Sequence, residues 1–348
     1  ALTDEVRAYS DTAVVVIGRS GGEGYDLADE MYDIGEGHEY GVRHFGPESE
    51  RGKHYLELST YESEMLRLAR DNFDKVVVVV NANNPMELGF LEAEDIDAAI
   101  WTGGPGSTGW NAVARLLKGE INPSGRLAST YVYDHTLNPT YYNSNPSYKN
   151  VLNLDGANWN TVMGYTADRS HSYTNDIALF NNDNAPVFGT ASTQVSKFVT
   201  YQEGIYVGYR YWETKYTDEA EYAEVVQYPF GYGLSYSSFT WSDVEWTTSN
   251  AAGGEITVTL TVTNDGPYAG KDVVQLYYSA PYTEGGIEKS AIVLGAYAKT
   301  DLIMPNASDE VTLPLAVDDM ASYDYAREGA YVLERGDYAL SLRTDVHT

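Results

Sequence analysis

The hydrophobic pattern changes its period along this chain, and that change limits the folds open to it. In the N-terminal part, uninterrupted β-branched runs occur at Thr12–Gly18 and Lys75–Asn81. Such runs are typical of strands in a parallel sheet that helices cover on both faces. In the C-terminal part, apolar and polar residues alternate instead, as in Glu255–Asn264, which is typical of antiparallel strands. The sequence therefore predicts an α/β domain followed by an all-β domain.

Helical segments separate the strands of the N-terminal part. Ser59 and Glu62 form a capping-box signature, which predicts a helix that runs to about Asn72. Three further elements are predicted in this part: a short helix near Pro85–Phe90, a strand at Ala98–Thr102, and a helix at Ser107–Lys118 with Ser107 as its N-cap. We expect an α/β sandwich with a mostly parallel sheet.

The middle of the chain separates the two patterns. Residues from about Asn138 to Thr200 are rich in Asn, Tyr, Ser and Thr without periodicity, which is typical of a surface insertion or linker. The segment Gly204–Trp212 is aromatic and strand-like. We place the α/β-sandwich domain at 1–137, a polar insertion with an aromatic connecting segment that completes it at 138–227, and the all-β domain at 228–348. The first residues read as the end of a helix, so we expect the first domain to be N-terminally incomplete.

Short alternating strands separated by Gly, Asn, Pro and Asp turns characterise the C-terminal part. They are predicted at Glu255–Asn264, Asp272–Ser279, Ile292–Lys299, Glu310–Val317 and Asp337–Arg343. This spacing describes an antiparallel β-sandwich of the immunoglobulin or fibronectin type III kind. The chain contains no cysteine, which favours the fibronectin type III-like version because that version lacks the inter-sheet disulfide.

Charge and cysteine content exclude several function classes. The chain carries 22 Lys and Arg against 51 Asp and Glu, a formal net charge of −29. Nucleic acids and anionic membranes are therefore not expected as partners, because their phosphates are bound mainly by Lys and Arg. The absence of cysteine removes disulfides, thiol nucleophiles and cysteine metal sites. No apolar run reaches membrane-span length, and the compartment stays open.

Tyrosine is unusually frequent, with 31 Tyr against 8 Phe. Its side chain combines a flat apolar face with a hydroxyl group, which suits wet contact surfaces, including those that hold sugars. Tyrosine also replaces phenylalanine on half-exposed β-strands. Composition alone leaves both explanations open.

Three loops form the candidate ligand site, because ligands bind outside the carboxyl ends of parallel strands. They follow Gly18, Asn81 and Thr102. The first of them reads SGGEGY (residues 20–25) and holds Glu23 among three glycines, which allow the backbone to approach a ligand closely. The loop has neither G-x-G-x-x-G spacing nor a G-K-[ST] ending, so the pattern disfavours phosphate binding. Glu23 is therefore either a carboxylate that the loop holds toward a ligand or a solvated residue with a structural role.

Other residues give weaker chemical signals. Many carboxylates follow Glu23, and glycosidases need two of them at one glycosidic bond, but sequence order does not show which two converge. His38 and His44 with Glu36 and Glu39 could bind a metal, although no HExxH spacing is present and a polar loop is the better reading. No G-x-S-x-G elbow occurs. We therefore expect no metal and no cofactor.

Six stretches, taken together and in this order, resemble the glycoside hydrolase family 3 β-glucosidases. They are SGGEGYDL (20–27), KHYLELS (53–59), KVVVVVNANNPMEL (75–88), IWTGGPGSTGWNAVARLLKGEINPSGRLAST (100–130), EGIYVGYRYWET (203–214) and FGYGLSYSSF (230–239). The resemblance spans nearly the whole chain except about Tyr142–Val199. It implies an α/β sandwich followed by a fibronectin type III-like domain, as the periodicity also predicts.

The resemblance also implies a catalytic role for the first loop. Members of this family are retaining exo-glycosidases whose acid/base glutamate stands in an S-G-E-G-Y loop, which corresponds to Glu23 here. Tyr25 matches a residue that can line the leaving-group subsite. The remaining residues expected at the substrate are Arg19, Ser20, Gly22 and Asp26. Arg19 could also oppose protonation of Glu23 or pair elsewhere.

In this family the aspartate nucleophile belongs to a (β/α)₈ barrel, and no barrel pattern is present in these 348 residues. Some members have inverted domain order, with the barrel last. We therefore expect the chain to be one piece of a larger or two-chain enzyme, inactive alone, whose partners are the barrel and a β-glucoside substrate. β-Xylosides, α-arabinofuranosides and macrolide glycosides stay open as substrates, and so does homo-oligomerisation.

Two other functions fit parts of the pattern. The first is a non-catalytic carbohydrate-binding or scaffolding unit that has kept the shape of the family and lost its chemistry. A carboxylate between glycines argues against it, because a scaffold has no need of one. The second is a nucleotide-binding α/β domain joined to an adhesive sandwich, which accounts for the architecture but not for the six motifs.

Overall fold

The computed structural model describes residues 4–19, 31–36, 43–143, 203–247 and 252–348. The helices are α1 (Asp4–Tyr9), α2 (Thr60–Arg70), α3 (Phe90–Ala93), α4 (Gly106–Leu117), α5 (Pro139–Asn143), α6 (Tyr209–Lys215) and α7 (Glu219–Val225). The strands before the sandwich are β1 (Thr12–Arg19), β2 (Asp33–Glu36), β3 (Arg43–Phe45), β4 (Lys75–Ala82), β5 (Ala98–Trp101), β6 (Tyr131–Val132) and β7 (Val226–Tyr228). The strands of the C-terminal domain are β8 (Phe239–Thr247), β9 (Glu255–Asn264), β10 (Val273–Ser279), β11 (Val293–Lys299), β12 (Ser308–Ala316), β13 (Ser322–Asp324), β14 (Ala330–Val332) and β15 (Ala339–Arg343). Among these ranges, no helix combines the length and the apolar character needed to cross a membrane.

The chain divides into two compact units. The first holds residues 1–19, 66–133 and 205–348, and the second holds residues 20–65 and 134–204. The parallel sheet and the β-sandwich both belong to the first unit. Most of the predicted polar insertion, residues 144–202, lies outside the described residues.

The predicted parallel sheet is confirmed: β1, β4 and β5 pair in parallel, with β4 in the centre. Apolar side chains of β4 are buried on both faces of the sheet, as the uninterrupted valine run predicts. In β1, by contrast, Val15 and Ile17 are buried whereas Val14 and Val16 are about half exposed. The expectation of two covered faces is therefore wrong for β1, which has one neighbour, β4, among the described strands.

Helix α2 begins with the predicted capping box. The backbone N–H of Ser59 donates to Glu62 Oε2 at 2.9 Å, and the backbone N–H of Glu62 donates to Ser59 Oγ at 3.2 Å. These reciprocal bonds satisfy two donors that a helix start leaves free. Leu66 and Ala69, three residues apart on one face, are buried.

The short helix predicted near Pro85–Phe90 begins later than expected, because α3 spans Phe90–Ala93. Met86 and Leu88 explain the shift. Both side chains are buried, and their spacing of two residues is that of an extended chain rather than a helix.

Helix α4 begins at Gly106, which has φ of +61°, and Pro105 is its N-cap residue without a capping side chain. The predicted N-cap role of Ser107 is therefore wrong, because Ser107 already lies in the first turn. The predicted end is confirmed. The N–H of Gly119, which has φ of +71°, donates to the Leu116 carbonyl at 2.9 Å.

The segment Gly204–Trp212, predicted as strand-like, leads into helix α6 instead. Its aromatic content favours a strand by local propensity, but tertiary packing decides otherwise. Trp212 is 2% exposed. The buried side chains that it joins in one cluster are Val132, Tyr222 and Val226.

The C-terminal domain is a sandwich of two antiparallel three-stranded sheets, β12-β9-β8 and β11-β10-β15. Its predicted strands are confirmed within two residues at each end, whereas β8 and the hairpin β13–β14 were not predicted. The side chains that face inward share one core, whose most deeply buried members are Val258, Leu260, Val262, Val274, Leu276 and Leu313. Each such side chain contributes about 1.5–3 kcal/mol of burial free energy, so this core dominates the stability of the sandwich.

A polar joint connects the segment after α4 to the sandwich. Arg126 Nη2 lies 2.8 Å from Asp272 Oδ1, and both side chains are largely buried. The other carboxylate oxygen of Asp272 accepts from Trp241 Nε1 at 2.8 Å. Asn122 Oδ1 accepts from the N–H of Tyr236 at 2.8 Å. These bonds hold both portions in the first unit.

Within the second unit, Glu50 holds the start of α2. Its Oε1 accepts from the backbone N–H of Thr60 at 2.8 Å, and its Oε2 lies 3.4 Å from Lys53 Nζ. Burial raises the pKa of Glu50, but the bond from Thr60 and the charge of Lys53 outweigh it and lower that pKa overall. Glu50 therefore stays ionised and keeps its structural bonds.

Candidate functional site

The carboxyl edge of the parallel sheet brings together the ends of three strands. Arg19, at the end of β1, pairs with Ala82 of β4, and Trp101, at the end of β5, pairs with Val80. The loops that follow these strands therefore begin at one edge, as the sequence predicts. In parallel sheets this edge is where ligands bind.

Arg19 occupies the position from which the predicted catalytic loop departs. Its side chain is half-buried, and its Nη1 donates to the carbonyl of Gly18 at 2.7 Å. This bond holds the guanidinium at the strand end. A cation there is suited to an anionic or hydroxyl-bearing group at the same edge.

Trp101 and Thr102 bind the backbone of β4 near its carboxyl end. Trp101 Nε1 donates to the Ala82 carbonyl at 2.8 Å, and Thr102 Oγ1 donates to the Val80 carbonyl at 3.2 Å. A Cβ atom on Gly104 would lie 2.7 Å from Asn83 Oδ1, so a larger residue here would displace the Asn83 side chain. The edge is therefore held by side chains that reach across strands, a geometry that favours precise positioning of groups.

Sequence reasoning singled out these loops but missed Trp101 and Asn83 as individual residues. The available signal was a Trp-Thr-Gly-Gly run directly after a strand, where the glycines indicate close backbone approach. The described residues of the edge supply a cation, an indole face, an amide and a hydroxyl group. Arg19, Asn83, Trp101 and Thr102 are groups that can bind a polar ligand, and none of these four is a carboxylic acid.

The predicted loop residues Ser20, Gly22, Glu23, Tyr25 and Asp26 lie outside the described residues. Their roles therefore stay predictions, and Arg19 is the one predicted site residue whose position is described.

Of the four residues considered as metal ligands, the structure describes two. Glu36 ends β2 and stands opposite Arg43 of β3, next to His44. His38 and Glu39 lie outside the described residues. A metal site at these residues therefore stays a prediction that the sequence alone disfavours.

A second polar cluster, which the sequence did not indicate, surrounds His347. The imidazole stacks on the Tyr222 ring, with centroids 3.8 Å apart and 5° between the planes. Its Nδ1 lies 3.1 Å from Glu213 Oε2, and its Nε2 lies 3.0 Å from Glu219 Oε2. Burial lowers the pKa of His347, but the bonds to Glu213 and Glu219 outweigh burial and raise it overall. Because both ring nitrogens are occupied by these carboxylates, the cluster is structural.

Comparisons with known protein families account for most of the chain. The family described as "Glycosyl hydrolase family 3 C-terminal domain" matches residues 2–209. The family described as "Fibronectin type III-like domain" matches residues 272–346. The two matches correspond to the predicted order of an α/β sandwich followed by a fibronectin type III-like sandwich.

Individual relatives carry one type of name. Beta-glucosidase A of Butyrivibrio fibrisolvens is 33% identical over 98% of this chain, and a beta-glucosidase of Ruminococcus albus is 31% identical over all of it. The crystal structure of a beta-glucosidase from Paenibacillus barengoltzii superposes with a TM-score of 0.67 and 30% identity over 99% of this chain. Beta-glucosidase 3B from Thermotoga neapolitana, in complex with glucose, gives 0.66 and 28% identity over 99%.

The chain spans only part of each relative. It covers 37% of the Butyrivibrio protein and 28% of the Ruminococcus protein, and 30% and 37% of the two solved chains. These relatives therefore contain long segments to which nothing in this chain corresponds.

Proposed function

The chain belongs to glycoside hydrolase family 3, and from this premise we propose that it supplies the general acid/base, Glu23, of a retaining exo-acting β-glucosidase. The nucleophile of the proposed enzyme is an aspartate on a (β/α)₈ barrel, either elsewhere in the same polypeptide or on a second chain. The proposed substrate is a terminal non-reducing β-D-glucosyl residue. The names of the relatives, which are beta-glucosidases, support this choice of sugar.

The observation that carries the proposal is the position of Arg19 at the edge of the parallel sheet, where three strand ends meet and where ligands of such sheets bind. The sequence SGGEGY follows Arg19 directly in the chain. Arg19, Asn83, Trp101 and Thr102 at this edge are groups that can orient a polar ligand but cannot act as a general acid. Glu23 would add a carboxyl group to these four.

In the proposed mechanism, Glu23 acts twice. Protonated Glu23 donates its proton to the glycosidic oxygen while the barrel aspartate attacks the anomeric carbon, which forms a covalent glycosyl-enzyme and releases the leaving group. Ionised Glu23 then removes a proton from water, which attacks the same carbon and releases glucose with retention of configuration. The first step requires a raised pKa for Glu23, which a dry cleft between barrel and sandwich would provide.

The test uses the complete polypeptide or complex that contains the barrel. In Glu23→Ala, kcat/KM for an alkyl or oligosaccharide β-glucoside should fall by about 10²–10⁴, because these leaving groups need protonation. An aryl β-glucoside with an acidic phenol should be affected far less. Azide should restore the deglycosylation rate and give a β-glucosyl azide, since the anion needs no general base.

The matched control is Glu64→Ala, which removes an exposed glutamate from α2 and should leave both rates at the wild-type level. Equal losses of rate for poor and good leaving groups in Glu23→Ala would contradict the assignment. The proposal would also be contradicted if NMR showed the α-anomer of glucose as the first product. Turnover of a nitrophenyl β-glucoside by residues 1–348 without the barrel would contradict it too.

A further inference from the structure

Three tyrosines project from the hairpin β13–β14 of the sandwich. Their exposed fractions are 47% for Tyr323, 73% for Tyr325 and 76% for Tyr331. Tyr323 and Tyr331 stand opposite each other in the register, and their ring centroids lie 5.2 Å apart with 62° between the planes. Grouped aromatic rings with this exposure form a patch that a binding partner would cover.

The hairpin is held in place by its own turn and by the neighbouring loop. Asp324 is buried, and its Oδ1 accepts from the N–H groups of Ala326 and Arg327 at 3.1 and 3.0 Å. Arg327 Nη2 donates to the carbonyl of Gly285 at 2.9 Å. The patch is therefore pre-organised, and a ligand would not have to order it.

Two further phenols lie at the neighbouring loop. Tyr282 belongs to this loop and is 55% exposed, and the hydroxyl of Tyr206, from the segment before α6, donates to the carboxylate of Glu288 in the same loop. Burial and the bond to Glu288 raise the pKa of Tyr206. The loop that holds Tyr282 and binds Tyr206 also contacts the hairpin, through the bond between Arg327 and the Gly285 carbonyl. We call Tyr206, Tyr282, Tyr323, Tyr325 and Tyr331 the tyrosine surface.

Charge around the tyrosine surface limits its ligands. Glu284 and Glu328 are exposed in the two loops that carry its tyrosines, and Glu288 lies among them. Of the two cations in these loops, Lys289 is buried in an ion pair with Glu334, and Arg327 is exposed and donates to the carbonyl of Gly285. The three carboxylates outnumber this one exposed cation, which disfavours phosphates, nucleic acids and acidic peptides.

A neutral saccharide fits this combination of groups. The axial C–H bonds of a β-glucopyranose ring form an apolar face that packs on a phenol, while its equatorial hydroxyls point outward. Carboxylates and tyrosine hydroxyls at the rim accept and donate hydrogen bonds to such hydroxyls. Several rings in one patch suit a chain of sugars better than a single one.

We propose that the tyrosine surface is a non-catalytic binding site for a neutral β-glucan chain. The assignment to a neutral saccharide comes from the surface itself, whereas the choice of β-linked glucose rests on the proposed function. The site would hold the polymer near the enzyme without contributing to hydrolysis of small glucosides. Part of the tyrosine excess of the sequence would thereby have a function.

The test is native gel electrophoresis of the complete protein in gels that contain soluble mixed-linkage β-glucan. The wild-type protein should be retarded, and the variant Tyr323→Ala/Tyr325→Ala/Tyr331→Ala should bind about tenfold more weakly or worse, because three stacking contacts are lost. All three side chains are exposed, so the variant should fold, which circular dichroism and the unfolding midpoint would verify. kcat/KM for a nitrophenyl β-glucoside should be unchanged.

The matched control is Tyr297→Ala, because Tyr297 is 70% exposed on β11 and lies outside the tyrosine surface. It should be retarded like the wild type. Gels with α-linked dextran should not retard the wild type. Conservative Tyr→Trp exchanges at positions 323 and 331 should preserve retardation by β-glucan.

Four results would overturn the proposal. Three of them are no retardation of the wild type by β-glucan, equal retardation of the triple variant, and equal retardation by dextran. The fourth is retardation by polylysine that the triple variant loses, which would assign the surface to a basic partner; the net charge of −29 by itself would retard both proteins alike. These binding measurements do not depend on Glu23. A failed Glu23→Ala experiment would therefore refute the acid/base role without touching the tyrosine surface, and the reverse also holds.

Discussion

Two strands of the first unit, β1 of the parallel sheet and β9 of the β-sandwich, are buried to different degrees. In β9, every second side chain from Ile256 to Val262 is at most 6% exposed, and all of them share one core. In β1, Val14 and Val16 are about half exposed, although the central strand β4 of the same sheet is buried as deeply as β9. The comparison teaches that the position of a strand within its sheet decides its burial and therefore its share of the packing free energy.

Breaking the polar joint between the two regions should have the largest effect on the free energy of unfolding. Arg126→Ala leaves the buried carboxylate of Asp272 without its counter-charge, and we expect a loss of about 3–5 kcal/mol in the free energy of unfolding. Urea denaturation measures it. The control is Arg51→Ala, which breaks an exposed pair with Glu48 and should destabilise the protein far less, because solvent screens an exposed pair.

The double variant Arg126→Met/Asp272→Asn sharpens this prediction. It removes both charges, so it should recover part of the loss because no uncompensated charge remains buried. Equal stability losses in Arg126→Ala and Arg51→Ala would show that the joint does not hold the regions together.

A pair of identical substitutions tests the difference in burial directly. Val258→Ala removes two methyl groups from a fully buried position of β9, and the expected loss is about 1.5–3 kcal/mol. Val14→Ala makes the same change at a half-exposed position of β1, where the expected loss is within about 0.5 kcal/mol. Thermal and urea unfolding measure both. A loss in Val14→Ala as large as that in Val258→Ala would mean that the exposed face of β1 is packed in the folded protein.

Local signals predicted much of this fold. The capping box of Ser59 and Glu62 was predictable because both partners lie within one helical turn, and the alternation of Glu255–Asn264 directly reflects its burial. Parallel pairing of β1 with β4 followed from two uninterrupted valine runs.

The remaining features depend on contacts that are remote in sequence. Trp212 is helical because it packs against side chains from three other elements, which overrides its strand propensity. The bond of Arg126 to Asp272 joins residues 146 positions apart, and no local pattern encodes it. At the candidate site, the strand topology was predictable, but the contacts of Trp101 and Asn83 across the edge were not. The role of Glu23 comes from its motif and stays a prediction.

The smallest expected effect concerns pH and the His347 cluster. Because the bonds to Glu213 and Glu219 raise the pKa of His347 above its ordinary value of 6.5, the charged ring is favoured in the folded state. The stability from this cluster is therefore fully present below about pH 6.5 and is lost as pH rises through the raised pKa. His347→Phe keeps a ring that can stack on Tyr222 and removes both bonds.

We expect His347→Phe to cost about 0.5–1 kcal/mol at pH 6, in the range of partly exposed ion pairs, and less at pH 9. Urea unfolding at the two pH values measures the difference. Glu219→Gln, at a side chain that is 88% exposed, should weaken the pH dependence only in part, because the buried Glu213 carboxylate remains. A loss in His347→Phe that is the same at both pH values would show that stacking on Tyr222, rather than charge, holds this end of the sandwich against α6 and α7.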